Sequence, residues 1–338
     1  SEKAKTAKPK KKILIPIIIA AAVVVIAAIA IPVAINASKQ SNYDTAEELM
    51  AQGDYEGALA KYEELGSFNE SAEKAAQARK AIDYEKGKEL FNNGNYEEAI
   101  TFLDSAGDYE AADIYATRCN KHIMLDQAID LMSQEKYVEA REVLGDIFYM
   151  EDVNLSPYIT ECNDNMDYNE AVAALEAGNN YEAYETFMYL GEFKDSADMA
   201  AKCIVATPPT GETYRNGDYT GSDCTLTIVP PSGDGSQTYM KIYTADGTLV
   251  SCIFMNSGEQ AAVDLPAGSY IFKTAYGYGL WFGEKDMFGD DGIYQIMLSD
   301  GVNEIFPLDG GYIYTLTLRN SGGNNNNVGS ENENRNDF

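Results

Sequence analysis

The feature that most constrains this chain is a long internal repeat. Tyr43, Tyr84, Leu125 and Tyr168 open four stretches spaced 41, 41 and 43 residues apart, which together cover residues 43–206. Fifteen residues into each stretch stands an alanine: Ala58, Ala99, Ala140 and Ala183. Nineteen residues in stands a large apolar side chain: Tyr62, Leu103, Leu144 and Phe187. Glycine occupies the tenth place at Gly53, Gly94 and Gly178, with Glu135 as the exception. A fixed period of this size is written by stacked helical units, because one unit cannot bury its apolar face alone and leans on the next.

Each unit reads as a pair of helices. Ala46, Leu49 and Met50 share one helical face, as do Gly87, Leu90 and Phe91. Gly53 or Gly94 ends the first helix in a left-handed cap. Asp54 or Asn95 then starts the second, and Glu98 stands at the capping-box place after Asn95. The second helix packs through Tyr55, Ala58 and Tyr62, or through Tyr96, Ala99 and Leu103, and the small alanine lets two helices approach closely. Ser156-Pro157 is a further start signal.

The pattern Ala46-x-x-Leu49-x-x-x-Gly53-x-Tyr55-x-x-Ala58-x-x-x-Tyr62 resembles the tetratricopeptide repeat (TPR), as does the stretch from Gly87 to Leu103. The period is longer than the 34 residues of the standard unit, and no proline closes it. The resemblance implies a curved array holding a peptide or protein on its concave side, and no catalysis. An array of this kind also serves as a plain spacer, and the aromatic and alanine positions themselves read as core.

Ahead of the repeats, residues 13–35 form an uncharged run of mostly Ile, Val, Ala and Leu. At 1.5 Å rise per residue such a helix crosses a hydrocarbon core of about 30 Å. Six lysines within residues 1–12 precede it and Lys39 follows alone, so the positive-inside rule places the N-terminus in the cytoplasm. A cleaved signal peptide, with Ala28-Ile29-Ala30 as the cleavage site, is the rival reading; the run is longer than a signal core and Pro32 follows closely, which favours the anchor. The chain opens on Ser1 rather than Met, so we expect a longer cytoplasmic part upstream. Residues 36–42 read as a linker.

The formal net charge is −29, and the lysine-rich start makes the remainder more acidic still. A surface this acidic repels phosphate backbones and argues against nucleic acid as a partner. One histidine, His122, leaves little room for histidine-based acid–base or metal chemistry. No phosphate loop, nucleophile elbow or Cys/His motif is present, and no pair of carboxylates is singled out by spacing. Asn163 to Asp167 alternates oxygen side chains as a calcium loop does, but Tyr168 and Ala174 stand where Gly and Glu are needed. We therefore expect no enzyme, no cofactor and no metal.

Helical periodicity stops at Thr207-Pro208-Pro209. Short alternating runs follow at 225–229, 239–244, 250–255, 261–265, 270–275, 293–298, 303–306 and 312–318, separated by turn residues. Asp246-Gly247 fits a hairpin, and Pro266-Ala267-Gly268 fits a turn with Gly at positive φ. Eight such strands predict a β-sandwich over 207–320. The segment from Val263 to Tyr270 resembles a recurrent hairpin in extracellular β-sandwich modules of bacterial surface proteins, which implies a surface module. Residues 321–338 read as a disordered tail, too polar to fold alone.

Five cysteines are present. Cys119, Cys162 and Cys203 fall at one small packing position of the repeat, where the first unit has Ala78. Cys224 and Cys252 are either free or joined in a disulfide, which an exported location permits. Tyr276, Tyr278, Trp281 and Phe282 stand among glycines and include the only tryptophan. They are either a stacking platform for a ligand or a mini-core closing one end of the sandwich, and the second reading is favoured.

The expected protein is thus multidomain, α then β: a basic tail (1–12), a transmembrane helix (13–35), four TPR-like units (43–206), and an all-β sandwich. Its expected role is that of a non-enzymatic scaffold or binding protein of a bacterial cell membrane, single-pass, with the C-terminal domains extracytoplasmic and a protein partner. The alternative is a cell-envelope glycan-binding protein, taking polysaccharide on the aromatic loop, with the repeats as a stalk.

Overall fold

The computed structural model of the protein describes residues 14–318 and 329–338. The lysine-rich start and residues 319–328 lie outside the described residues. The chain divides into two compact units, 1–159 and 160–338.

In the first unit, α1 (Leu14–Gln52) runs without a break from the apolar segment into the first repeat, so residues 36–42 are helix and not a linker. Among the described residues α1 is the one helix long and apolar enough to cross a membrane, by length and composition. Val24, Ile26, Ile29, Ile31 and Val33 are all exposed. Such a stripe is not stable against water, so it requires lipid or another apolar cover.

The remaining helices of this unit each pack on the one before, α2 on α1 first: α2 (Tyr55–Leu65), α3 (Ser71–Asn92), α4 (Tyr96–Ala106), α5 (Ala112–Ser133) and α6 (Tyr137–Ile147). The repeat positions are the core. Ala58, Ala99 and Ala140 are fully buried, as are Tyr62, Leu103 and Leu144 one helical turn later. Ala78 and Cys119 share a buried slot, and Cys162 and Cys203 are buried too. The Tyr62 hydroxyl donates to Glu47, and Lys74 Nζ pairs with that carboxylate at 3.1 Å, which together hold it below its usual range. Asp54 caps α2 through the Gly57 amide at 2.9 Å; Asn95 holds the cap position of α4 without making a side-chain cap bond.

A second punctuation mark ends the shorter helices. Gly66, Gly107 and Gly191 stop them, and an aromatic residue follows two places on: Phe68, Tyr109 and Phe193. Ser71 and Ser196 close the same turn by donating to the Phe68 and Phe193 carbonyls at 2.6 Å. The third stretch lacks this turn; α6 ends instead at Phe148, with a longer loop after it.

The second unit begins with α7 (Ser156–Glu176), α8 (Asn180–Leu190) and α9 (Ser196–Cys203). Ser156 starts α7 as its Ser-Pro signal predicts, and residues 163–167 lie within that helix. Ala171, Ala183, Phe187, Ala200 and Cys203 form the helical core of this unit.

Among the described residues ten strands follow: β1 (Gly211–Arg215), β2 (Cys224–Val229), β3 (Gln237–Thr244), β4 (Leu249–Met255), β5 (Ala261–Leu265), β6 (Gly268–Gly277), β7 (Ile293–Leu298), β8 (Phe306–Leu308), β9 (Ile313–Thr317) and β10 (Gly329–Asn332). The large sheet runs β1-β4-β3-β6-β7-β10, with β8 also on β6; the small one runs β5-β2-β9. Pairing is antiparallel except for β2 with β9. Leu226, Ile228, Val263 and Leu316 of the small sheet meet Met240, Ile242, Ile253 and Phe272 of the large one in a single inter-sheet core, which makes this a sandwich.

Two expectations change here, and one alternative left open is decided. Residues 263–270 are not a hairpin: β5 and β6 belong to different sheets, and Pro266-Ala267 carries the chain between them. Gly268 does not take a positive φ, whereas Gly247, in the β3–β4 turn, does. Cys224 and Cys252 are both free: Cys224 faces the inter-sheet core and Cys252 belongs to a separate cluster on the large sheet. Burial pushes both thiols up. Val250 is the unpaired residue of a bulge opposite Ile242 and Tyr243, and it shifts the facing of this strand ahead of Cys252.

Glu135 tests the local physics. It sits at φ 61°, where the equivalent Gly53, Gly94 and Gly178 lie between 75° and 81°. A side chain in that conformation costs roughly 1–2 kcal/mol. Glu135→Gly is expected to raise stability by about 1 kcal/mol, read as a higher midpoint in urea at unchanged m.

Candidate functional site

The site is built on a helix that lacks its own cap. The Asn179 side chain makes no cap bond at the start of α8. The first amides of a helix need an acceptor, and its positive end favours an anion. Asp286 supplies both from the loop between β6 and β7: its Oδ2 accepts from the Tyr181 amide at 3.0 Å, and the residue is 7% exposed. Two further bonds tie the elements together. Asn180 Nδ2 donates to the Phe282 carbonyl at 2.8 Å, and Lys285 Nζ donates to Asn179 Oδ1. After α9, the Val205 amide donates to the Trp281 carbonyl at 2.8 Å. These bonds give a physical reason why the last helical pair groups with the sheets, while the change from helix to strand falls later, between Cys203 and Gly211.

The loop folds over the face of the large sheet that looks away from the small one. Trp281 packs edge-on against Tyr239, Phe254 and Phe288, with ring centres 5.1–5.2 Å apart. Phe282 turns the other way and meets Tyr181 and Tyr184, each at 5.1 Å. Burial pushes the Tyr181 hydroxyl up and the Tyr294 hydroxyl up to about 12. Gly289 lets the loop touch the helix. It lies at φ 65°, and a Cβ there would stand 2.2 Å from the Tyr181 ring.

The four aromatics singled out from sequence therefore do not form one surface. Trp281 and Phe282 are each 2% exposed and Tyr276 is 1% exposed, whereas Tyr278 is 60% exposed. All three serve packing, in three different places: Trp281 covers the sheet face that has no second sheet over it, Tyr276 belongs to the inter-sheet core, and Phe282 packs on Tyr181 and Tyr184. Tyr278 instead lines a groove of about 410 Å³ with Tyr181, Tyr184, Met188, Leu280 and Phe282. Glu185 and Asp291 stand at its rim. Sequence reasoning missed Tyr181, Tyr184, Met188 and Asp286, because helix and loop are about a hundred residues apart.

His122 lies elsewhere, in the first unit. Its ring stacks on Tyr96 at 4.3 Å, and Nε2 stands 2.9 Å from Asp152 Oδ2, which also pairs with Arg118 at 3.2 Å. The lone histidine thus pins the long loop of the third stretch. A smaller cleft of about 240 Å³ opens beside it, lined by Ile114, Arg118 and Tyr149. Among the described residues no group of three or more His, Cys, Asp or Glu side chains is placed to hold a metal ion.

Gly289→Ala combines a strained φ with a clash, and should destabilise the second unit by about 3 kcal/mol. Hydrogen exchange checks this: faster exchange is expected at the Tyr181 amide, with the inter-sheet core still protected. Compared with protein-family models, with curated proteins and with solved structures, the chain matches none.

Proposed function

We propose that this chain is a non-enzymatic, membrane-anchored binding protein of a bacterial cell envelope. In this reading α1 is a single-pass anchor with its lysine-rich end in the cytoplasm. The TPR-like stretches and the sandwich stand outside and act as a scaffold for a protein partner. The observation that carries the reading is the groove beside α8: exposed Tyr278, Met188 and Leu280 above buried aromatics, with Glu185 and Asp291 at the rim. Exposed apolar side chains around a cleft, edged by charge, have the makeup of a protein-contact surface. The acidic rim and the net charge of −29 favour a basic segment with an apolar anchor residue.

The test uses the full chain in detergent micelles, offered a membrane-protein extract and, separately, purified cell-wall polysaccharide. Tyr278→Ala with Met188→Glu alters only exposed groups of the groove. Capture of one protein by the wild type, weakened at least tenfold in this variant, is the expected result. Equal capture by wild type and variant removes the groove from the account. Retention of polysaccharide alone would favour the glycan-binding reading, with the repeats as a stalk.

A further inference from the structure

The sequence reads residues 321–338 as a disordered tail, but the described part of it, 329–338, is ordered. It borrows a sheet edge. β10 adds antiparallel to β7, with Gly329 opposite Leu298 and Asn332 opposite Gln295. The Glu333 amide continues the pairing to the Tyr294 carbonyl at 2.8 Å, and Gln295 Nε2 donates to Asn332 Oδ1 at 3.1 Å. The chain then turns and inserts two side chains. Phe338 is buried against Tyr294, with ring centres 5.4 Å apart and Lys241 Nζ 4.9 Å over its ring; its carbonyl accepts from the Tyr243 hydroxyl at 3.1 Å. Arg335 lies over the Tyr181 ring at 4.9 Å and pairs with Asp290 at 2.9 Å and Asp286 at 3.6 Å.

This is how a bound peptide is held. Main-chain bonds to a sheet edge supply affinity, and spaced pockets supply selectivity. The inter-sheet core contains no residue of this segment, and the outer cluster contains only Phe338. The fit is also incomplete. Glu333 pairs with Lys273 through Oε1 at 2.8 Å, but its buried Oε2 has no hydrogen-bond partner, and Arg335 Nε lies in an ion pair without an aligned hydrogen bond. A buried polar atom left unmet costs roughly 1–3 kcal/mol, so a better-matched peptide gains over the resident one.

We propose that the edge of β7, the pocket around Phe338 and the Tyr181–Asp286–Asp290 corner form a peptide-binding site. Its ligand is an extended segment with arginine three residues before an aromatic residue, and residues 329–338 are its resident occupant. The site shares Tyr181 with the groove beside α8 but rests on the pairing with β7 and the pocket around Phe338. Being part of the same chain, the resident competes intramolecularly, so it masks the site from weak ligands.

The test keeps the full chain in detergent micelles. The probe is a fluorescent synthetic peptide of residues 329–338, followed by anisotropy. Arg335→Ala with Phe338→Ala in the protein weakens the resident and leaves the site intact. This variant is expected to bind the probe at least tenfold more tightly than the wild type. Alanine at either anchor of the probe should cost at least tenfold. The proposal is overturned if the folded variant binds no better than the wild type, or binds a scrambled probe equally well. Should the double variant fail to fold, Phe338→Leu keeps the pocket filled. A gain of at least threefold is then expected, and no gain overturns the proposal.

Discussion

A buried carboxylate on a loop organises the second half of this protein. Asp286 takes the place of the cap that Asn179 does not provide, and so fixes the start of α8 to the β6–β7 loop. A charged acceptor on a helix amide contributes about 1.5–3 kcal/mol when the alternative is a buried unmet donor. The same carboxylate faces Arg335, so one side chain joins a helix, a loop and the turn that follows the sheet-edge strand. The groove beside α8 exists because this junction holds Tyr181 and Tyr184 against Phe282.

The helical stretches obey a simpler rule. Alanine fifteen residues in lets two helices meet closely, and the large apolar residue one turn later fills the space beside it. Departures from the rule are informative. The third stretch has Glu135 in the left-handed place and lacks the Gly-x-aromatic turn, and its longer loop is held by the only histidine. A weaker local code is compensated there by tertiary contacts among His122, Asp152 and Arg118.

The sandwich shows how an uncovered sheet face is managed. The small sheet covers one face of the large one. A single loop, carrying Trp281, Met287 and Phe288, covers part of the other. Of the four clustered aromatics Trp281 alone is cover; Tyr276 lies in the inter-sheet core, Phe282 packs on α8, and Tyr278 reaches solvent.

Periodic information was legible in the sequence. The repeat register, the buried alanines and cysteines, the apolar helix and seven of the ten strands among the described residues follow from spacing, because helix and strand periods act between near neighbours. β8 was expected a few residues early; β1 and β10 were not expected at all. Both are borrowed strands, polar by composition, that exist because β4 and β7 offer edges. The assignment of β5 and β6 to different sheets, the aromatic split between Trp281 and Tyr278, and the capping of α8 by Asp286 were settled by tertiary structure. Each depends on which groups meet across distant parts of the chain, and neither propensity nor period carries that information.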